Sequence, residues 1–69
     1  MNQLEIILNG ERRQVPGPST LAQLLQHLDL DPRSVVVELN RQIVRRVQLE
    51  NTPLTAGDSV ELVHFVGGG

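Results

Sequence analysis

The chain has no cysteine, no lysine, no tryptophan and no tyrosine, and its one aromatic residue is Phe65. Without cysteine there is no disulfide framework and no thiolate metal site, so any sulfur the protein handles must be attached through another group. A single aromatic cannot build the stacking platform that single-stranded nucleic acid needs. A net charge of −2 gives no electrostatic footprint for a phosphate backbone. The apolar runs are a few residues long, far below the roughly 20 that a membrane helix requires. The first residues carry no charged-then-apolar leader pattern, and the expected compartment is the cytoplasm. With 69 residues there is room for one domain with one modest core and marginal stability.

What is present reads as alternating strands around one helix. From Gln3 to Leu8, Leu4, Ile6 and Leu8 fall on one face and Glu5 and Ile7 on the other, the period of a strand. Asn9-Gly10 follows, a pair that tolerates positive φ and predicts a hairpin. Glu11 to Val15 is the return strand, with Arg12 and Arg13 marking an exposed edge. Pro16-Gly17-Pro18 breaks it. Thr20 and Gln23 have the spacing of a capping box. Leu21, Leu24, Leu25 and Leu28 form one apolar stripe, so a helix is expected from about Thr20 to Leu28. The stretch Asp29 to Pro32 should end it, because a residue before proline avoids the helical region.

Val35 to Leu39 is a third strand, apolar except at Glu38, a pattern that fits a strand covered on both faces. Asn40-Arg41-Gln42 turns the chain into a short strand around Ile43 and Val44. Arg45 to Thr55 is irregular, with one helical turn near Leu49. Gly57-Asp58 makes a tight turn into a last strand, Ser59 to Phe65. There Val60, Leu62 and His64 share one face, and Glu61, Val63 and Phe65 the other. Two mostly apolar faces place this strand in the centre of the sheet. The order predicts an α+β domain over 1–66, a mixed sheet of four to five strands with one main helix on one face. Residues 67–69 form a flexible glycine tail.

The body holds no Ser-His-Asp set, no phosphate-binding glycine loop and no metal-ligand spacing. His27, beside the leucine stripe, reads as a surface or half-buried histidine. His64 reads as structural or as a partner contact. The chemistry falls on Gly67, Gly68 and Gly69. A frayed terminus would have this composition, but so would a substrate. Without Cβ atoms, glycines can lie extended in a narrow channel and let an enzyme approach the backbone. From Val66 to Gly69 the reach is roughly 13–14 Å, enough to place a terminal carboxylate inside a partner while the body stays outside. A carboxylate is a poor electrophile. It needs activation, most simply as an acyl-adenylate, and this chain has no nucleotide loop to make one.

These residues resemble the thiamine-pathway sulfur carrier (ThiS) family of ubiquitin-like β-grasp proteins. The resemblance rests on the opening strand with Asn9-Gly10, on Thr20-Leu21-Ala22-Gln23-Leu24-Leu25, and on Val36-Val37-Glu38-Leu39-Asn40. It continues through Ile43-Val44 with Arg46, Leu54-Thr55-Ala56-Gly57-Asp58-Ser59-Val60-Glu61, and Val63-His64-Phe65-Val66-Gly67-Gly68-Gly69. It spans essentially the whole chain. It implies a sheet whose first and last strands are parallel and adjacent at its centre. It implies that the chain is a co-substrate and not an enzyme, binding no cofactor itself. An E1-like adenylating enzyme would use ATP and magnesium to activate Gly69. A sulfur donor, a cysteine desulfurase or similar, would supply sulfur to give a thiocarboxylate, and thiazole synthase would receive it.

Two features depart from the family pattern: Gly67, a third glycine where two suffice, and Arg45, where a proline often precedes Arg46. Rival readings share the fold: a carrier for molybdopterin synthesis or for tRNA thiolation, a protein modifier, or a binding module with an inert tail. The absence of lysine forbids lysine-linked chains built on the protein itself. His64, Phe65 and Val66, with Arg45 and Arg46, are the candidate partner contacts beside the tail, Phe65 standing equally open as a core residue. The free protein is expected to be a monomer.

Overall fold

A computed structural model describes residues 2–65 of the chain. Five strands, β1 (Gln3–Leu8), β2 (Glu11–Pro16), β3 (Val35–Leu39), β4 (Gln42–Val44) and β5 (Ser59–His64), form one sheet in the order β2-β1-β5-β3-β4. One helix, α1 (Leu21–His27), and two 3₁₀ turns, Pro32–Ser34 and Arg46–Asn51, lie outside it. Strands β1 and β5 are parallel, through Ile7↔Ser59 and Leu8↔Val60; the other neighbours are antiparallel. The first and last strands therefore meet inside the sheet, as the resemblance implies.

Local chemistry explains the elements. Asn9 and Gly10 sit at φ 50° and 84°, the left-handed pair that a two-residue hairpin needs to match strand twist. The β3–β4 hairpin uses Asn40 and Arg41 in the same way, at φ 52° and 71°. At the start of α1 the Thr20 hydroxyl accepts from the Gln23 N–H (3.2 Å), and the Gln23 side chain accepts from the Thr20 N–H (2.9 Å). The reciprocal pair satisfies two donors that the helix cannot. The helix ends through Asp29, left-handed at φ 61°. Pro32 acts later: it follows Asp31, which is extended and caps the next 3₁₀ turn. The expected stop is in the right place, but a left-handed aspartate makes it.

Leu21, Leu24 and Leu25 of the stripe are buried against Ile6, Leu8, Val15, Val35, Val37 and Val60 of the sheet, and Leu49 and Leu54 close the rim. Leu28 is half-buried beside them. Every fully buried side chain is apolar among the described residues. On β3, Val35 and Val37 face this core, while Val36 and Glu38 on the opposite face are half-buried and uncovered by any element. The expectation of cover on both faces fails here. A single seven-residue helix covers one side only, and valine favours strands whether or not it is buried. The far face of β5 is likewise open, with Val63 55% exposed.

Candidate functional site

The site is built from β5 outward, because this strand leads into the glycine tail. On one side β3 holds it along its length, from Leu39↔Val60 to Val35↔His64. The ladder continues one step further, where the Phe65 N–H donates to the Ser34 carbonyl at 3.0 Å. On the other side β1 stays only as far as Leu8↔Val60. Asn9 adds one rung with its backbone, its N–H donating to the Val60 carbonyl, and one with its side chain, whose Oδ1 accepts from the Leu62 N–H at 2.8 Å. Beyond Leu62, β5 has β3 as its only strand neighbour. The strand that carries the tail is thus fixed in the centre of the sheet at its start and open on the β1 side at its end.

His64 is exposed, at the register position of Val35. Phe65 is 48% exposed, so the core reading falls and the contact reading stands. It continues the alternation of Glu61 and Val63 onto the face that α1 does not cover. Arg45 and Arg46 are exposed and directly follow β4, whose Val44 lies opposite Val37, itself opposite Leu62. They therefore come to the same end of the sheet as His64 and Phe65, two strand spacings across, roughly 10 Å. Val66, Gly67, Gly68 and Gly69 lie outside the described residues.

Sequence reasoning did not place Asp31 and Arg33 at this end. Arg33 lies one residue before Ser34, the acceptor for Phe65. Its Nε and Nη2 donate to the Asp31 carboxylate at 3.2 and 3.0 Å, and its backbone N–H donates to the same group at 2.9 Å. The Arg33 side-chain and backbone hydrogen bonds, with the nearby Arg33 and Arg46 charges, hold the Asp31 carboxyl below the usual range. Its own partner raises Arg33 in turn. Arg45, with no acid so placed, is the freer charge for a partner. The Asp-Pro-Arg run was the available signal, since aspartate before a turn accepts from the backbone two residues on.

His27 is exposed at the end of α1, lining a shallow depression with Pro16, Pro18, Ser19, Gln23 and Gln26. None of the tail-side candidates lines it. Among the described residues no group of His, Cys, Asp or Glu could hold a metal ion, and no helix is long and apolar enough to cross a membrane.

Comparison with known proteins adds three findings. A model of the ThiS family matches residues 6–69. The sulfur carrier protein ThiS of Thermus thermophilus is 36% identical over 62 residues, covering 90% of this chain and 95% of that protein. A thiazole synthase of Paramagnetospirillum magneticum is 36% identical over 66 residues. That match takes in 96% of this chain but 20% of the synthase, so the chain spans about a fifth of that relative's length. Among solved structures, a thiamine biosynthesis protein (ThiS) from Geobacter metallireducens superposes with a TM-score of 0.81 at 32% identity, covering 96% of this chain and 100% of that one. The architecture is that of a ubiquitin-like β-grasp.

Proposed function

The chain belongs to the ThiS family, and from that membership we infer that it is a sulfur carrier of thiamine biosynthesis with Gly69 as the sulfur-bearing residue. The observation that carries the reading is the reach of the family match, residues 6–69, which takes in both the β-grasp body and the three glycines. The carrier of similar length from Thermus thermophilus supports the same assignment.

In this reading an E1-like enzyme, using ATP and magnesium, joins the Gly69 carboxylate to AMP and releases pyrophosphate. A sulfur nucleophile then displaces AMP and leaves a thiocarboxylate. The chain is a co-substrate throughout: it binds no cofactor and contributes an address and a reach. Residues 67–69 are the part that enters the partner; the domain before them stays outside, in the cytoplasm. His64, Phe65, Val66, Arg45 and Arg46 are the contacts that orient it. Thiazole synthase is the receiving partner, a reading supported by the synthase whose own chain contains a region like this one.

Intact mass spectrometry after incubation with ATP, the cognate activating enzyme and a sulfur donor tests the reading. The mass should rise by the difference between sulfur and oxygen, and fragmentation should place the change on Gly69. A change on an internal residue, or none, would sink it.

A further inference from the structure

The sheet face opposite α1 carries two carboxylate sites treated in opposite ways. On the β1–β2 half, Glu5 is answered from within the protein. Arg12 lies 4.0 Å away, and the Gln14 amide donates to Glu5 at 3.2 Å. On the β3–β5 half, Glu38 and Glu61 are direct register partners. Like charges directly opposite across a strand pair destabilise it, and among the described residues neither carboxylate is in a salt bridge. Around the pair the face is apolar. Ile43, opposite Glu38, is 68% exposed, and Val63 and Phe65 are also exposed, with half-buried Val36 between.

We propose that this face, centred on Glu38 and Glu61, is the docking surface for thiazole synthase, engaged by a basic side chain, arginine or lysine, that is ringed by apolar groups. The inference rests on the partnership stated above and adds the surface and its chemistry. An arginine fork can bridge two carboxylates, turning the internal repulsion into a complementary contact. Covering Ile43, Val63 and Phe65 excludes water from that contact, which strengthens it. The face also runs without a break along β5 to Phe65, two residues before Gly67. A partner seated on it therefore lies beside the origin of the tail. A synthase chain that contains a region like this one supplies a body against which the same face would be held.

The test uses the full chain and its cognate thiazole synthase. Glu38→Gln/Glu61→Gln keeps the shape of both side chains and removes their charge. Titration calorimetry should show binding weakened roughly tenfold or more, with a shallower dependence on salt, while the melt of the free variant is unchanged or higher. In a second arm, unlabelled synthase added to the ¹⁵N-labelled chain should move the amide signals of Val36, Glu38, Ile43, Glu61 and Val63. The signals of Leu21, Leu24 and Gln26 should stay in place. Equal affinity and salt dependence for the variant, or shifts confined to α1, overturn the docking face while leaving the partnership standing. Failure of the wild-type chain to bind the synthase overturns both.

Discussion

The side chain of Asn9 stands in for a strand residue beside Leu62. Its Oδ1 accepts the Leu62 N–H at 2.8 Å while its backbone, at φ 50°, is already turning into β2. One residue thus closes the first hairpin and extends support to the strand that leads to the tail. The two roles separate experimentally. Asn9→Gly keeps the left-handed turn and removes the acceptor. We expect a loss of about 1 kcal/mol, the usual worth of such a bond, with hydrogen exchange faster at the Leu62 amide than at its neighbours. Unchanged protection of Leu62 would show that the contact does not hold the strand.

The core and the open face should respond differently to truncation. Leu25 is 1% exposed, in contact with the sheet through the leucine stripe. Leu25→Ala should cost about 2–5 kcal/mol, enough to lower the melting temperature by at least several degrees in a domain this small. Phe65→Ala should leave the melt nearly unchanged and slow adenylation by the activating enzyme. A normally folded Phe65→Ala protein adenylated at the wild-type rate would remove Phe65 from the contact surface.

Arg41 occupies a left-handed position, φ 71°, where most hairpins of this kind use glycine. A side chain there costs roughly 1–2 kcal/mol, and glycine returns part of the gain through greater freedom in the unfolded chain, about 0.4–1 kcal/mol. Arg41→Gly should therefore stabilise the protein by up to about 1 kcal/mol, read as a higher midpoint in urea with the same slope. A lower midpoint would mean that the arginine makes a contact worth more than its strain.

Most of the fold was legible because its signals are local. The bounds of β1 follow from alternation alone, the start of α1 from Thr20 and Gln23, and both hairpins from Asn9-Gly10 and Asn40-Arg41. The end of α1 was legible in place and not in cause, since a left-handed Asp29 leaves no spacing to read. The open face was misread. Val35 to Leu39 is apolar enough for two covered faces, and only the count of helices, one, says that one face must stay bare. Glu38 and Glu61 were visible as the polar breaks in β3 and β5, but their pairing depends on register, which no local pattern gives. The same holds for Arg46 near Asp31. The tail-side cluster was read from nearness to the glycines, and the structure brings Arg45 and Arg46 to that end through β4 and β3.

The tail itself separates chemistry from folding. All the buried side chains lie between Ile6 and Val60, so removal of Gly69 should leave the melt of the domain where it was. Activation should respond steeply. Deleting one residue withdraws the carboxylate by roughly 3.3–3.6 Å, and a misplacement of about 1 Å can already cost on the order of a hundredfold in rate. Exchange of labelled pyrophosphate into ATP, catalysed by the activating enzyme in the presence of the carrier, reads the adenylation step directly. Chains lacking Gly69 should support no exchange above background, and Gly68→Leu should behave alike by blocking a channel shaped for glycine. Truncated chains that still support exchange at the full rate would move the reactive group away from Gly69. An inactive chain with a lowered melting temperature would instead place the tail among the elements that hold the fold together.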